Sequence, residues 1–181
     1  MRIGQILSFG AGCAMLLSTP LRAAESGYNL ELTGTIVAQA CSVDISSLDQ
    51  SIDLGQFSVN DFPTVGTTSK FKPFNINLKG CSRGIVGTKV WFSGAADNDN
   101  PALLALSDTS LGEARMMATG VGVELLNDEQ DPLPINNSSS AVYPLKAGRN
   151  TLTFYIRYRS TRPQVTSGNA TAVMYFDLEY Q

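Results

Sequence analysis

The sequence predicts an all-β sandwich, and three observations carry that prediction. Apolar and polar residues alternate with period two along most of the chain. Clusters of Gly, Pro, Asn and Asp separate the alternating runs. Helical spacing of apolar residues is hard to find, and short strands punctuated by turns without helices pack as two β layers.

In chain order, the first strand candidate is the clearest. Tyr28, Leu30, Leu32, Gly34, Ile36 and Ala38 fall on one face, and Asn29, Glu31, Thr33 and Thr35 on the other, with Val37 the exception. Shorter candidates follow at 51–54, 74–78, 88–93 and 121–126. Leu152, Phe154, Ile156 and Tyr158 then alternate with Thr151, Thr153, Tyr155, Arg157 and Arg159. The last run sets Ala172, Met174, Phe176, Leu178 and Tyr180 against Thr171, Asp177, Glu179 and Gln181. Turn chemistry lies between these runs, at Gly55, Asp61-Phe62-Pro63, Lys79-Gly80, 97–101, Asp131-Pro132, 136–140 and 147–150. One brief helical turn is expected over 101–106, where Asn100 before Pro101 is placed to cap it.

A chain of 181 residues accommodates one domain with a sizeable core. Residues 1–24 read as a secretory signal peptide: Arg2, an apolar stretch from Ile3 to Leu17, then a small, turn-prone segment with cleavage near Ala23 or Ala24. Gln5 and Ser8 interrupt the apolar run, which is too short for a membrane span, so no membrane insertion is expected. Export gives the cysteines their meaning. Cys13 leaves with the signal, and Cys41 with Cys81 remain, an even pair in an oxidising compartment and most simply one disulfide. Closing a loop of about 40 residues, such a bridge contributes roughly 4 kcal/mol in the chain-entropy model.

Composition narrows the function classes. The net charge is −3, which does not suggest a nucleic-acid partner, and Arg157, Arg159 and Arg162 read as a solvated strand edge and turn. The chain has no histidine, which removes most catalytic triads, most zinc sites and the commonest general base. Asp97 and Asp99 lie in an Asn/Asp/Pro cluster whose ordinary meaning is a turn. Pro101 and Ala102 stand where a calcium loop needs a ligand and a glycine. Asp128, Glu129 and Asp131 read as a hairpin tip, and Trp91 beside Phe92 as a core residue rather than a sugar platform. No catalytic residue, metal site or cofactor is expected, and the chain is not read as an enzyme.

The first alternating segment poses a physical problem. It is amphipathic and β-prone, yet it lies ahead of Cys41, outside the disulfide loop. Burying each of Leu30, Leu32 and Ile36 is worth about 1.5–3 kcal/mol, so its apolar face must be covered. It can complete its own sandwich, or it can cross to another chain and fill a vacancy there by strand addition. Gly34 in mid-strand bears on the choice, because such a glycine often marks close approach of another backbone or side chain. Cys41 falls on the opposite parity, so a bend or bulge is expected between Ala38 and Cys41.

At this point the residues carry a resemblance. The run from Gly34 to Cys41, the Asp53-Leu54-Gly55 step, Leu78-Lys79-Gly80-Cys81 and the terminal Leu178-Glu179-Tyr180-Gln181 resemble subunits of chaperone–usher pili. Two runs, from Phe92 through Asp97 and Pro101 to Leu106, and from Gly120 through Leu126 to Gln130, are most similar to the minor tip subunits of type 1 fimbriae. The resemblance spans essentially the whole chain after residue 24. It implies an incomplete immunoglobulin-like β-sandwich lacking its last strand, completed by a donor strand from a neighbour. The implied division is 1–24 signal peptide, 25–40 donor extension and 41–181 pilin domain. Tyr28, Leu30, Leu32, Gly34 and Ile36 map to the inserting positions. Ala172, Met174, Phe176, Leu178, Tyr180 and Gln181 map to the groove edge, gripped first by a periplasmic chaperone, with Gln181 supplying the terminal carboxylate. The implied partners are neighbouring pilus subunits, that chaperone and an outer-membrane usher. The implied role is a structural subunit, a minor or tip adaptor, of an adhesive fimbria exported through the periplasm to the cell surface. The alternatives are a self-complete secreted immunoglobulin-like module, or an adhesin. The length leaves no room for the extra receptor-binding domain of the family's adhesins.

Overall fold

The computed structural model describes residues 33–34, 40–107 and 116–181. The fold belongs to one of the chain's two units, Val37–Gln181; the other, Met1–Ile36, contributes only Thr33 and Gly34 to the described residues. The signal peptide, the expected bend after Ala38 and the inserting positions Tyr28, Leu30, Leu32 and Ile36 lie outside them.

Among the described residues, eight strands form two antiparallel sheets, confirming the all-β prediction. The strands are β1 (Ser42–Val43), β2 (Lys72–Cys81), β3 (Gly87–Gly94), β4 (Val121–Leu126), β5 (Pro132–Leu133), β6 (Val142–Pro144), β7 (Gly148–Ser160) and β8 (Met174–Tyr180). One sheet has the order β1-β2-β7-β4-β5, the other β6-β3-β8. Alternation decides which face of each strand is inward: Phe74, Ile76 and Leu78 from β2, Val90 and Phe92 from β3, Leu152, Phe154 and Ile156 from β7 are all buried. Phe74, Phe92 and Phe154 meet at the centre, with ring centroids 4.9–6.2 Å apart. Leu104 lies between the sheets, bridging Ala96 on one side and Val123 on the other.

Cys41 and Cys81 form a disulfide. It ties the residue before β1 to the end of β2, whose strands pair Ser42 with Lys79 and Val43 with Leu78. The β2–β7 register shifts between Leu78 and Cys81, where Gly80 takes φ +67, a left-handed conformation that favours glycine.

Several local expectations are corrected. Residues 51–54 form no strand, although Leu54 is buried: the Asp53 carboxylate accepts the Gly55 N–H at 2.8 Å, and a turn replaces the ladder. The expected helical turn over 101–106 is a tight turn followed by the Leu104 bridges. A short helix α1 occurs instead at Ile45–Leu48, capped by the Asp44 carboxylate, which accepts the Ser46 N–H at 3.1 Å. Trp91 is half-buried on the outward face of β3, across from Asp177, while Phe92 is the core residue. Arg157 and Arg159 do not sit on a sheet edge, since β7 lies between β2 and β4. Both donate to buried Glu124, Arg157 Nε to Oε2 at 2.7 Å and Arg159 to Oε1 at 2.6 Å.

Candidate functional site

β8 occupies an edge of the three-stranded sheet. It pairs with β3 from Thr88–Tyr180 to Gly94–Met174, and among the described residues it has no partner strand on its other side. Its burial departs from that of the other long strands. Met174, Phe176, Leu178 and Tyr180 point inward and pack on the core, yet each is only half-buried. Ala172, just before the strand begins, continues the same face and is half-buried too. Inward residues of the same parity on β2 and β3 are buried. The shortfall follows one line, from Ala172 to Tyr180. Val43 of β1, and Ile52, are likewise apolar, half-buried and packed on the core.

Both ends of this line are fastened. Near Ala172, the Ser107 N–H donates to the Thr171 carbonyl at 2.7 Å, and the Thr171 hydroxyl donates to the Ser107 carbonyl at 2.6 Å. At the other end the Tyr180 hydroxyl donates to the Cys41 carbonyl at 3.1 Å, beside the disulfide, and burial pushes this phenol above its ordinary pKa. Gln181 continues the ladder: its N–H donates to the Gly87 carbonyl at 2.8 Å, and its carbonyl accepts the Val86 N–H at 3.0 Å. The stretch between the fastenings measures roughly 30 Å at about 3.3 Å per residue. It therefore presents an apolar face that lacks full cover, next to backbone N–H and C=O groups free to pair. An added strand satisfies both needs at once.

The structure brings Ala172, Met174, Phe176, Leu178, Tyr180 and Gln181 together as one continuous run. Gly34 is described, but its four companion positions in the leader are not. Sequence reasoning missed Val43, because β1 has only two residues and carries no readable alternation. It also left the outward face of β8 without a role. There Glu179 is held below the ordinary carboxylate range, first by the Gln181 side-chain amide and then by the Lys89 ammonium at 3.4 Å. The Asp97 cluster is a turn: one carboxylate oxygen of Asp97 accepts the N–H groups of Asp99 and Asn100, each at 3.0 Å.

A protein-family model described as fimbrial protein matches residues 30–181. The chain belongs to this fimbrial family. It is 44% identical over 154 residues to the uncharacterized fimbrial-like protein YcbU of Escherichia coli (strain K12), covering 84% of each chain. It is 38% identical over 177 residues to the type-1 fimbrial protein A chain of Salmonella typhi, covering 97% of this chain and 94% of the relative. Among solved structures, it is similar to a chain of a chaperone–usher pilus, with 27% identity and a TM-score of 0.63 over 90% of this chain and 100% of the other. The fold is thus the immunoglobulin-like sandwich of pilus subunits, and the relatives named are fimbrial or fimbrial-like proteins.

Proposed function

We propose that this fimbrial subunit is a minor adaptor at or near the fibre tip, joined to its neighbours by exchange of β-strands. Residues 25–40, left after removal of 1–24, are the donated strand, with Tyr28, Leu30, Leu32, Gly34 and Ile36 inserting into the next subunit. β8, with Ala172, Met174, Phe176, Leu178, Tyr180 and Gln181, is the acceptor edge. A periplasmic chaperone covers that edge first, and the strand of a neighbour replaces it at an outer-membrane usher. The subunit reaches the cell surface inside a fimbrium and supports adhesion without catalysis, metal or cofactor.

The observation that carries this reading is the half-burial of the inward face of β8 beside a free strand edge. Uncovered, that face would drive aggregation; covered by an alternating strand, it becomes ordinary sandwich core. The tip position is supported by the similarity of the Phe92-to-Leu106 and Gly120-to-Gln130 runs to tip subunits. Leu32→Asp and Ile36→Asp place a charge on the inserting face. Copurification with the chaperone is expected to survive both changes, and incorporation into fibres to be lost. A variant that still polymerises would overturn the donor role. So would a mature chain that, made without a chaperone, is a stable monomer and gains no stability from any added donor-strand peptide.

A further inference from the structure

We propose, building on the strand-exchange reading above, that the acceptor edge disfavours this chain's own leader and takes a strand from a different subunit, one whose residue beside Asp177 is neutral or basic. The outward residues of β8 are Tyr175, Asp177 and Glu179, all exposed, with Val173 just ahead of the strand. Glu179 is compensated by Lys89 and by the Gln181 amide. Asp177 is not. Its neighbour across β3 is Trp91, and among the described residues no Lys or Arg lies within ion-pair distance of it.

Every ladder in both sheets is antiparallel, and antiparallel pairing is the more stable arrangement per residue. The leader's inserting positions and the inward positions of the acceptor each number five with the same spacing. One antiparallel register sets all five against all five, with Tyr28 opposite Tyr180 and Ile36 opposite Ala172. That register places Glu31 directly opposite Asp177 and Asn29 opposite Glu179. Sliding two residues one way sets Glu31 against Glu179. Sliding the other way sets it against Tyr175, but pushes Ile36 past Ala172 and leaves Gly34 in its place. The chain's own strand therefore meets either a like charge or a poorer apolar fit. Like charges directly opposite on a sheet face are destabilising, and opposite charges there stabilise. The edge thus favours a heterologous donor.

The test titrates labelled synthetic peptides into the mature chain at low ionic strength. One peptide has the sequence of residues 25–40, and two others carry Glu31→Gln or Glu31→Lys. The Gln peptide is expected to bind about fivefold tighter than the unsubstituted one, and the Lys peptide tighter again. Asp177→Asn in the chain should abolish the Gln advantage, and high salt should shrink it. Equal binding by all three peptides, or an advantage that survives Asp177→Asn, overturns the charge selection and leaves strand exchange standing. If none of the peptides binds, and a Leu32→Asp peptide behaves no differently, the strand-exchange reading itself falls and takes this one with it.

Discussion

At the scale of single residues, the most consequential polar group is Glu124. It is 3% exposed on β4, and its carboxylate is held by two guanidinium groups from the neighbouring strand. A buried carboxylate stripped of its partners costs several kcal/mol, whereas an apolar replacement of the whole set is often nearly neutral. Arg157→Met with Arg159→Met is therefore expected to destabilise the chain by about 3 kcal/mol, and adding Glu124→Met to recover much of the loss. Urea unfolding of the double and triple variants checks this, and a triple variant no better than the double would refute it. Two surface carboxylates, half-buried Asp44 and exposed Glu179, make stability depend on acid. Asp44 is held below its ordinary range, chiefly by the Ser46 N–H and then by the Ser46 hydroxyl, and Glu179 by Gln181 and Lys89. A carboxylate with a lowered folded pKa binds its proton later in the folded chain. Its contribution is present above the unfolded value and vanishes as pH falls through the folded one. The urea midpoint is expected to drop below about pH 4, and to drop less when Asp44→Asn and Glu179→Gln remove both groups. An unchanged pH slope in that variant would assign the drop to other carboxylates.

At the scale of elements, β7 and β8 make the informative contrast. Phe154 on central β7 is fully buried between the sheets, and Phe176 on edge β8 has the same parity but only half the cover. Phe154→Ala is expected to cost about 3–5 kcal/mol in the isolated mature chain, as deletion of a packed core ring does. Phe176→Ala should cost clearly less, because that ring is only half-buried on its edge strand. Equal losses in denaturant titrations would show that β8 is already covered. The elements also show what alternation reports. The readable strands 74–78, 88–93, 121–126 and 151–159 lie within β2, β3, β4 and β7. Residues 51–54 alternate equally well and bury Leu54, yet among the described residues no strand pairs with them. Period two records which residues face the core; hydrogen-bonded pairing needs a neighbour that the segment itself does not specify.

At the scale of the molecule, the disulfide closes the start of the fold onto β2, close to where Tyr180 meets the Cys41 carbonyl. Replacing Cys41 and Cys81 by Ser is expected to lower stability by about 2–4 kcal/mol and to reduce periplasmic yield sharply. Unchanged thermal midpoint and abundance would show the bridge to be dispensable. On the strand-exchange proposal, the loss also loosens the Tyr180 end of β8, so that fibre incorporation falls further than yield does. Quantifying subunit per fibre against periplasmic pool separates the two effects.

The amino-acid order alone determined the all-β class, the inward faces of the long strands, the pairing of the two cysteines and the apolar run from Ala172 to Tyr180, because each follows from local periodicity, residue chemistry or elimination. It did not determine that β8 is an edge, that Trp91 faces outward, or that Arg157 and Arg159 share Glu124. Those depend on which strands become neighbours, a property of sheet order that no single segment encodes. The half-covered face of β8 is the clearest case: its alternation is written in the chain, but the shortfall in its burial exists only once the other strands have taken their places.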